Sequence, residues 1–252
     1  MGEQVKSLSK ALAVLDLLGQ HPNGASLQLL SEQTGINKTS VHRMLATFEE
    51  SGYVTQVATN KEYRLTMKLL HVGQAAINAD VTGIVKPHLA VLLKTLNETI
   101  NFLSFDSDSI IFKDKVEPVS SSFRTRTYVG LHSPMYCSAA GKCYLAFSSD
   151  GVREAYWQRN ASTMRKLTDN TIIEKVRFFE VLDEIKENGF AIDDEENEAG
   201  ISCVAVPICD KAGHPTYAVS VSTLTPKMRQ KGYAQFAEEI KAITGELEAK
   251  LF

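Results

Sequence analysis

Short apolar stripes at helical spacing, separated by polar turns, fill the first fifty residues of the chain. The first stripe predicts a helix and is formed by Leu8, Ala11, Leu12, Leu15 and Leu18. Turn residues at 22–24 end that helix, and Ser26 is placed to cap the next one. Gly35 then provides a tight turn, after which Asn37 is a good cap for a third helix over residues 38–51.

The third predicted helix has two different faces. Its inward stripe recurs at i, i+3, i+4 and i+7 and consists of Val41, Met44, Leu45 and Phe48. The outward face has the same spacing, contains no acidic residue, and consists of Thr39, His42, Arg43 and Ala46. Alternating positions over residues 53–57 and 63–65 then predict a short hairpin. Three helices with a glycine turn, followed by a hairpin, indicate a winged helix-turn-helix over residues 1–65.

This outward face has the chemistry that DNA requires. Phosphates take Lys, Arg, hydroxyl and backbone N–H groups, whereas base edges take Arg and small polar groups. The residues expected to contact DNA are Ser26, Asn37, Lys38, Thr39, Ser40, His42, Arg43, Lys61 and Arg64. Among them, we expect Thr39, His42 and Arg43 to reach bases. Any one of these residues alone could belong to an ordinary solvated face, but their combined order favours DNA binding.

Residues 66–79 predict a linking helix. Its narrow stripe of mostly small residues consists of Leu69, Val72, Gly73 and Ala76. Such a stripe can pack against a second copy of itself or against its own domain, and the pattern alone leaves both open.

Residues 80–252 mix helices and strands. An amphipathic helix around residues 84–96 precedes a predicted hairpin. The later predicted helices span 138–147, 172–188 and about 226 to the C-terminus. The later predicted strands span 190–192, 203–208 and 217–222. The hairpin strands span 99–105 and 109–116. Strands joined mainly by hairpins, with helices at the edges, indicate an α+β fold.

The net charge becomes informative about DNA binding only when the two parts of the chain are counted separately. The 252 residues carry 27 Lys and Arg against 30 Asp and Glu, a net charge of −3 that argues at first against nucleic acid. Residues 1–79 hold seven basic and six acidic residues, whereas residues 80–252 hold 20 and 24, so the acidity belongs to the second part. We find no apolar run long enough for a membrane span and no signal peptide, so we expect a cytoplasmic protein without a membrane partner.

The candidates for catalysis are weak. The four cysteines form no CxxC pair and indicate reduced, mostly buried thiols: Cys137, Cys143, Cys203 and Cys209. Cys137 could form a nucleophilic triad with His132 and Asp193, but no spacing places the three together. No ligand spacing supports a metal site either. We therefore expect no catalytic residue, no metal and no cofactor.

Gly141-Lys142 resembles part of a phosphate-binding loop, but the pattern GxxxxGK[ST] fails at Tyr136 and Cys143. Small and hydroxyl residues give a better signal. Residues 138–140 precede or open a helix and would direct N–H groups toward a small anion. Ser220 and Ser222 alternate on one strand and so face the same side.

Such a pocket suits a small, oxygen-rich carboxylate. The acidic run over residues 193–198 is most simply a solvated loop. In the alternative interpretation, one early acid of this run points into the pocket.

Across nearly its full length the chain resembles the IclR family of bacterial transcription regulators. The motifs that carry this resemblance are GINKTSVHRMLATFEESGYV, NETINF, RTRTYVGLHSPMYCSAAGKCYLAF, NGFAIDDEENEAGISCVAVPICD and YAVSVST. Within the family it is most similar to enterobacterial repressors of sugar-acid catabolism, of the diketogulonate and ascorbate-related type. The resemblance implies an N-terminal winged helix, a GAF-like effector-binding domain over 80–252, and a linker helix that makes a homodimer or a dimer of dimers.

The resemblance also implies an effector pocket. Its residues are Thr125, Ser133, Ala139, Ala140, Asp193, Ile201, Cys203, Ser220 and Ser222. The family often has apolar residues where Thr125 and Ser133 stand, so this lining is more polar and compatible with a polyhydroxylated acid. Arg124 and Arg126 could counter a carboxylate or form salt bridges.

We therefore expect a homo-oligomeric repressor of a carbohydrate-acid operon that binds double-stranded operator DNA and a small carboxylate or sugar acid. The alternative is a cysteine-dependent enzyme of small acids whose N-terminal helices only mediate dimerisation. A third possibility is a regulator that senses another protein.

Overall fold

The computed structural model describes residues 5–74, 79–119 and 125–252. The chain divides into two compact units, Met1–Asn78 and Ala79–Phe252. Among the described residues, no helix combines the length and the apolar character that crossing a membrane requires.

The first unit combines helices with a short antiparallel hairpin. Its elements are α1 (Lys6–Gly19), α2 (Leu27–Thr34), α3 (Lys38–Glu50), β1 (Val54–Gln56), β2 (Tyr63–Leu65) and α4 (Lys68–Gln74). The side chains of Ser26 and Asn37 cap α2 and α3 as the sequence predicts. Gly35 ends α2 with a φ of +68°, in the left-handed region that favours glycine. Part of the predicted linker stripe, Ala76, lies outside the described residues.

The apolar stripe predicted for α1 is not buried at its first residues, so this part of the prediction is wrong. Val14 and Leu18 are buried in the core of the unit, whereas Leu8 and Leu12 are 58% and 49% exposed. A helix that carries apolar residues on several sides offers more than one stripe, and periodicity alone does not say which stripe is covered.

The second unit contains a six-stranded antiparallel sheet between two layers of helices. Its elements are α5 (Ala79–Leu96), β3 (Thr99–Asp106), β4 (Ser109–Val116), β5 (His132–Pro134), α6 (Ala139–Phe147), α7 (Asp150–Asn160), α8 (Lys175–Asn188), β6 (Ala191–Asp194), β7 (Ile201–Cys209), β8 (Pro215–Leu224), α9 (Thr225–Lys231) and α10 (Tyr233–Leu251). The strand order is β5-β4-β3-β8-β7-β6. The predicted α+β class is confirmed.

Alternation along the strands sorts side chains between two apolar cores. Val219 and Val221 of β8 enter the core that α5 and α10 cover. Ala218 of the same strand enters the core on the α6 and α8 side, so Ser220 and Ser222 face that side as well. The second face is where the candidate ligand site lies.

Several predicted boundaries differ from the structure. The helix predicted from residue 172 begins at Lys175, and the C-terminal helix is two helices divided at Gly232, whose φ is +92°. Two elements of the structure, α7 and β5, are not predicted from the sequence. α7 is rich in charged residues and β5 has only three residues, so neither offers a long periodic signal.

Candidate functional site

The outward face of α3 is the candidate DNA surface of the first unit. Val41 and Leu45 are fully buried on the inner side, which fixes the rotation of the helix. As a result Lys38, Thr39, His42 and Arg43 are exposed, while Ser40 is half-buried. No acidic side chain occupies the first turn, so nothing there offsets the partial positive charge of the helix start. The face therefore offers cationic and polar groups to a polyanion.

Ser26 and Asn37 hold the helix starts of this unit. Their side-chain oxygens accept the N–H groups of Leu29 at 3.2 Å and Ser40 at 2.9 Å. Because the caps occupy these oxygens, the groups left for a phosphate are mainly the other N–H groups of each first turn.

Lys61 and Arg64 lie on the hairpin of the first unit. An isolated bridge between Ala25 and Tyr63 ties β2 to the segment before α2. Lys61 adopts a left-handed φ of +59°, and its carbonyl accepts the Nε2 group of Gln56 at 3.1 Å. Both cationic side chains are exposed, so the hairpin presents two positive charges to solvent.

The second unit contains a cavity of about 290 Å³ on the α6 side of the sheet. All nine residues of the expected effector pocket line it: Thr125, Ser133, Ala139, Ala140, Asp193, Ile201, Cys203, Ser220 and Ser222. The cavity has further lining residues that were not predicted from the sequence, among them Asn101, Leu103, Ile110, Phe112, Thr127, Leu131, Asn197 and Glu198. Residues 101, 103, 110 and 112 alternate along a predicted hairpin, so the period-two pattern contained a signal for them.

The cavity exists because small side chains meet where the helix faces the sheet. Ala139 and Ala140 occupy the first turn of α6, and Cys203, Ser220 and Ser222 occupy the facing strands. None of these side chains is large enough to fill the space between the two layers.

Ser138 and Gly141 set the start of α6. Ser138 Oγ accepts the N–H of Gly141 at 3.2 Å. The N–H groups of Ala139 and Ala140 belong to the first turn, so they have no acceptor within the helix, and both residues line the cavity. A Cβ atom at Gly141 would lie 2.3 Å from the Cα of Met135, so glycine permits this close approach. The arrangement can receive a small anion.

Asp193 is a buried acid in the cavity wall, 3% exposed. Its Oδ1 accepts the N–H groups of Glu196 at 2.7 Å and Asn197 at 3.3 Å. Burial raises its pKa to about 7, the positive charge of Lys142 opposes this shift, and the negative charge of Glu196 adds to it. The acidic run is therefore not simply a solvated loop, and the interpretation in which one early acid enters the pocket describes the structure.

Lys142 forms a buried ion pair with Glu196, and both charges act on Asp193. Lys142 is 1% exposed, and Glu196 is buried as well. The pair joins α6 to the acidic segment, so the Gly141-Lys142 sequence is explained by packing and ion pairing, in agreement with its failure as a phosphate loop.

A row of hydrogen bonds crosses the sheet along the cavity wall. Cys203 Sγ donates to Ser222 Oγ at 3.1 Å. Asn101 Nδ2 lies 3.3 Å from both Ser220 Oγ and Ser222 Oγ. The wall is polar although it lies inside the unit.

Arg126 also borders the cavity, and its Nε lies 3.5 Å from Glu198 Oε1. Its side chain is largely exposed, so it forms a weak pair at the rim. Arg124 lies outside the described residues.

The cysteines do not form an activated nucleophile. Burial raises the pKa of Cys137 to about 12 and that of Cys209 to about 11, and it also raises the pKa of Cys143 and Cys203. A reactive thiol requires the opposite shift. Cys137 Sγ contacts Asn197 Oδ1 at 3.6 Å, and the exposed His132 contacts Ser109, so these contacts do not assemble the suggested triad. Within the described ranges, no group of three or more His, Cys, Asp or Glu side chains could hold a metal ion.

Two family models match the chain. The model of the IclR helix-turn-helix domain matches residues 7–58, and the model described as the C-terminal part of the bacterial transcriptional regulator IclR matches residues 73–248. Together they cover most of the sequence.

Similar proteins are found among curated sequences and solved structures. The DNA-binding transcriptional repressor YiaJ of Escherichia coli is 41% identical over 247 residues, which cover 96% of this chain and 88% of that protein. The regulator KdgR of the same organism is 28% identical, covering 99% and 94% of the two chains. The crystal structure of the Thermotoga maritima IclR superposes with a TM-score of 0.79 at 27% identity, covering 98% of this chain and 99% of that one.

Proposed function

Because the chain belongs to the IclR family of bacterial transcriptional regulators, we propose that it represses a carbohydrate-acid catabolic operon in response to a small carboxylate or sugar acid. Membership implies operator DNA as a partner and a small-molecule effector of the C-terminal domain. The family and its relatives are regulators and not enzymes, so the cysteine-dependent enzyme considered from the sequence is wrong.

The observation that carries the proposed effector class is the cavity of the second unit. At one side, the first turn of α6 offers the N–H groups of Ala139 and Ala140, which suit a carboxylate. On the sheet, Asn101, Ser220 and Ser222 offer amide and hydroxyl groups. These polar groups suit the oxygen atoms of a small acid, and the apolar lining residues, among them Leu103, Ile110 and Phe112, can contact its carbon chain.

On the DNA side, we propose that Thr39, His42 and Arg43 reach base edges in the major groove. The phosphate contacts in this proposal are Lys38, Ser40, Lys61 and Arg64, together with the helix starts at Ser26 and Asn37. The exposure of the cationic side chains and the fixed rotation of α3 support this assignment. The protein would act in the cytoplasm, where operator DNA lies.

The proposed assembly is a homodimer or a dimer of dimers that reads a pseudo-palindromic operator. An effector can change operator binding only if it binds one arrangement of the assembly more tightly than another. The ligand and the operator must then influence each other's affinity reciprocally.

The test is a thermal-shift screen of the full chain with sugar acids, keto acids and aromatic acids, followed by operator binding with the best ligand. A bound acid should raise the melting temperature, because it stabilises only the folded state. Ser220→Ala and Asp193→Ala should reduce this shift while leaving operator binding without ligand unchanged. As a control, Ser202→Ala removes a buried hydroxyl that does not line the cavity and should keep the full ligand response. If the Ser220 and Asp193 variants both titrate like the wild type, the cavity is not the effector site.

A further inference from the structure

Asp193 faces the cavity from β6, at one edge of the sheet. The strand register places it directly opposite Cys203 of β7, and Cys203 lies opposite Ser222 of β8. Side chains that are paired across neighbouring strands lie on the same face of a sheet. The carboxyl group therefore belongs to the wall that a ligand in the cavity would meet.

The two carboxyl oxygens of Asp193 have different surroundings. Oδ1 accepts the backbone N–H groups of Glu196 and Asn197. Oδ2 has no such bond to a described residue and, unlike Oε2 of Glu196, is not fully enclosed by protein. Because the side chain lines the cavity, Oδ2 is the oxygen that is open to a ligand there.

The other charges at the cavity pair with one another. Lys142 of α6 forms the buried ion pair with Glu196. At the rim, Arg126 Nε lies 3.5 Å from Glu198 Oε1. Among the charged groups that the structure describes around the cavity, the carboxylate of Asp193 is therefore the one without a counter-charge of its own.

The remaining titratable neighbours do not exchange a proton near neutral pH. Burial raises the pKa of the Cys137 thiol to about 12 and also raises that of Cys203, so both stay protonated. Burial raises the pKa of Glu196 as well, but the charge of Lys142 opposes this shift. The pKa of Asp193, about 7, lies within the neutral range.

We propose that the cavity takes up its acid ligand together with one proton, which Asp193 holds in the complex. Two ionised carboxylates in one buried site repel each other, so the bound acid strengthens the hold of Asp193 on a proton. The proton comes from the solvent, and the occupied site then contains one of these two negative charges instead of both. The inference rests on the proposed function, because it takes the ligand to be an acid.

The protonated carboxyl group also gains a new role in binding. Its O–H can donate a hydrogen bond to an oxygen of the ligand, whereas the carboxylate can only accept. The N–H groups of Ala139 and Ala140 remain available for the carboxylate of the ligand. By linkage, a fall in pH through the neutral range then strengthens acid binding.

The experiment counts the protons that accompany binding to the full chain. Calorimetry at pH 8 in phosphate and in Tris, whose enthalpies of ionisation differ, gives this number. The probes are lactate, gluconate and benzoate, each compared with its uncharged amide, and an acid found only in the wider screen is measured with its amide in the same way. We expect about one proton per bound acid and clearly less for the amides, whose nitrogen can donate to an ionised carboxylate.

The affinity for the acids should show the same linkage when it is measured between pH 5.5 and pH 9. The acids stay ionised over this range, so a change in affinity reports on the protein. Above a pH of about 7 the association constant should fall by close to ten-fold per pH unit, and below a pH of about 6 it should be nearly constant.

Asp193→Asn still provides an acceptor for the two backbone N–H groups but cannot ionise. It should bind the acids without proton uptake and with little dependence on pH. Glu198→Gln is the matched control, because Glu198 is an acid at the rim of the same cavity, and this variant should keep the wild-type proton count. Should Asp193→Asn fail to fold, Asp193→Ser is the second variant without an ionisable group.

The outcomes separate the inference from the proposed function. Acid binding by the wild type without proton uptake at pH 8 overturns the inference and leaves the proposed function intact. Proton uptake that persists in the Asp193 variant, or that disappears in Glu198→Gln, overturns the role of Asp193. No binding of these acids or of any acid in the wider screen overturns the proposed function, and the inference with it.

Discussion

At the scale of single residues, Asp193 carries the clearest consequence of burial. Its pKa in the folded chain is about 7, against an ordinary value of 3.8, because burial disfavours the carboxylate. Between about pH 4 and pH 7 the folded protein therefore holds a proton that the unfolded chain has released. The stabilisation that this bound proton gives the folded state is complete below pH 3.8, decreases as the pH rises, and is lost once the pH exceeds about 7.

We therefore expect Asp193→Asn to raise the melting temperature relative to the wild type more at pH 8 than at pH 5. Asparagine can still accept the two backbone N–H groups but never ionises. Between pH 5 and pH 8 the expected difference is about 3 kcal/mol, because the stabilisation falls by about 1.4 kcal/mol per pH unit from pH 5 to the folded pKa of about 7. Thermal unfolding across this pH range measures it, with exposed Asp169→Asn as the control. A pH-independent difference between wild type and Asp193→Asn would contradict the assigned shift.

The burial of this acid shows where residue patterns stop being informative. Four consecutive acids at 193–196 indicate a surface loop on composition alone. What buries Asp193 is its pairing with Cys203 across β6 and β7, and what accompanies it is Lys142, which lies about fifty residues earlier in the chain. Both partners are set by the tertiary fold, so a local pattern does not contain them.

At the scale of elements, the position of α6 depends on Gly141. An added Cβ would lie 2.3 Å from Met135 Cα and 2.5 Å from Met135 O, and backbone atoms cannot move aside as a flexible side chain can. We expect Gly141→Ala to destabilise the second unit by about 3 kcal/mol, at the upper end of overpacking effects. The variant should also weaken acid binding, because the shifted helix start carries the N–H groups of the cavity.

Gly245→Ala in α10 provides the matched helical control. Nothing lies within 4 Å of an added Cβ there, so this change should be neutral or stabilise the protein by up to about 1 kcal/mol through helix propensity. Chemical denaturation of both variants measures the comparison. Equal stability of the two would show that α6 is not held against Met135.

For α3, we expect Arg43→Ala to weaken specific operator binding more than nonspecific DNA binding, because a base contact contributes only at the correct sequence. Lys38→Ala should weaken both to a similar extent, because a phosphate contact carries no sequence information. Titration of a selected operator and of a scrambled duplex measures the two affinities, with exposed Lys186→Ala of the second unit as the charge control. Equal losses for Arg43→Ala on both duplexes would refute a base-reading role.

Elements with strong local signals were predictable, and those that depend on tertiary contacts were not. The caps at Ser26 and Asn37 and the glycine turn between them place α2 and α3 from the sequence alone. α7 is different, because its Arg153 is buried and donates to the carbonyls of Leu145 and Ala146. Because a buried position of α7 carries an arginine, its sequence lacks the regular apolar stripe that predicts an amphipathic helix.

At the scale of the whole molecule, the net charge of −3 hides a difference in charge between the first 79 residues and the rest of the chain. The first 79 residues hold only seven basic residues, and the proposed phosphate contacts use three of their charged side chains, Lys38, Lys61 and Arg64. Affinity for DNA must then come from several copies that bind one operator together, since a single copy neutralises few phosphates.

The small number of charged phosphate contacts per copy predicts how operator binding depends on salt. With three Lys or Arg contacts to phosphate per copy and a slope of about −0.9 per contact, the logarithm of the binding constant should fall against the logarithm of salt concentration with a slope of about −5 for two copies and about −11 for four. Lys61→Ala should reduce the slope by about one per bound copy. Titrations in increasing KCl, on a full operator and on one with a half-site scrambled, measure both quantities. A slope and an affinity that remain the same when the half-site is lost would show that one copy binds alone, against the proposed assembly.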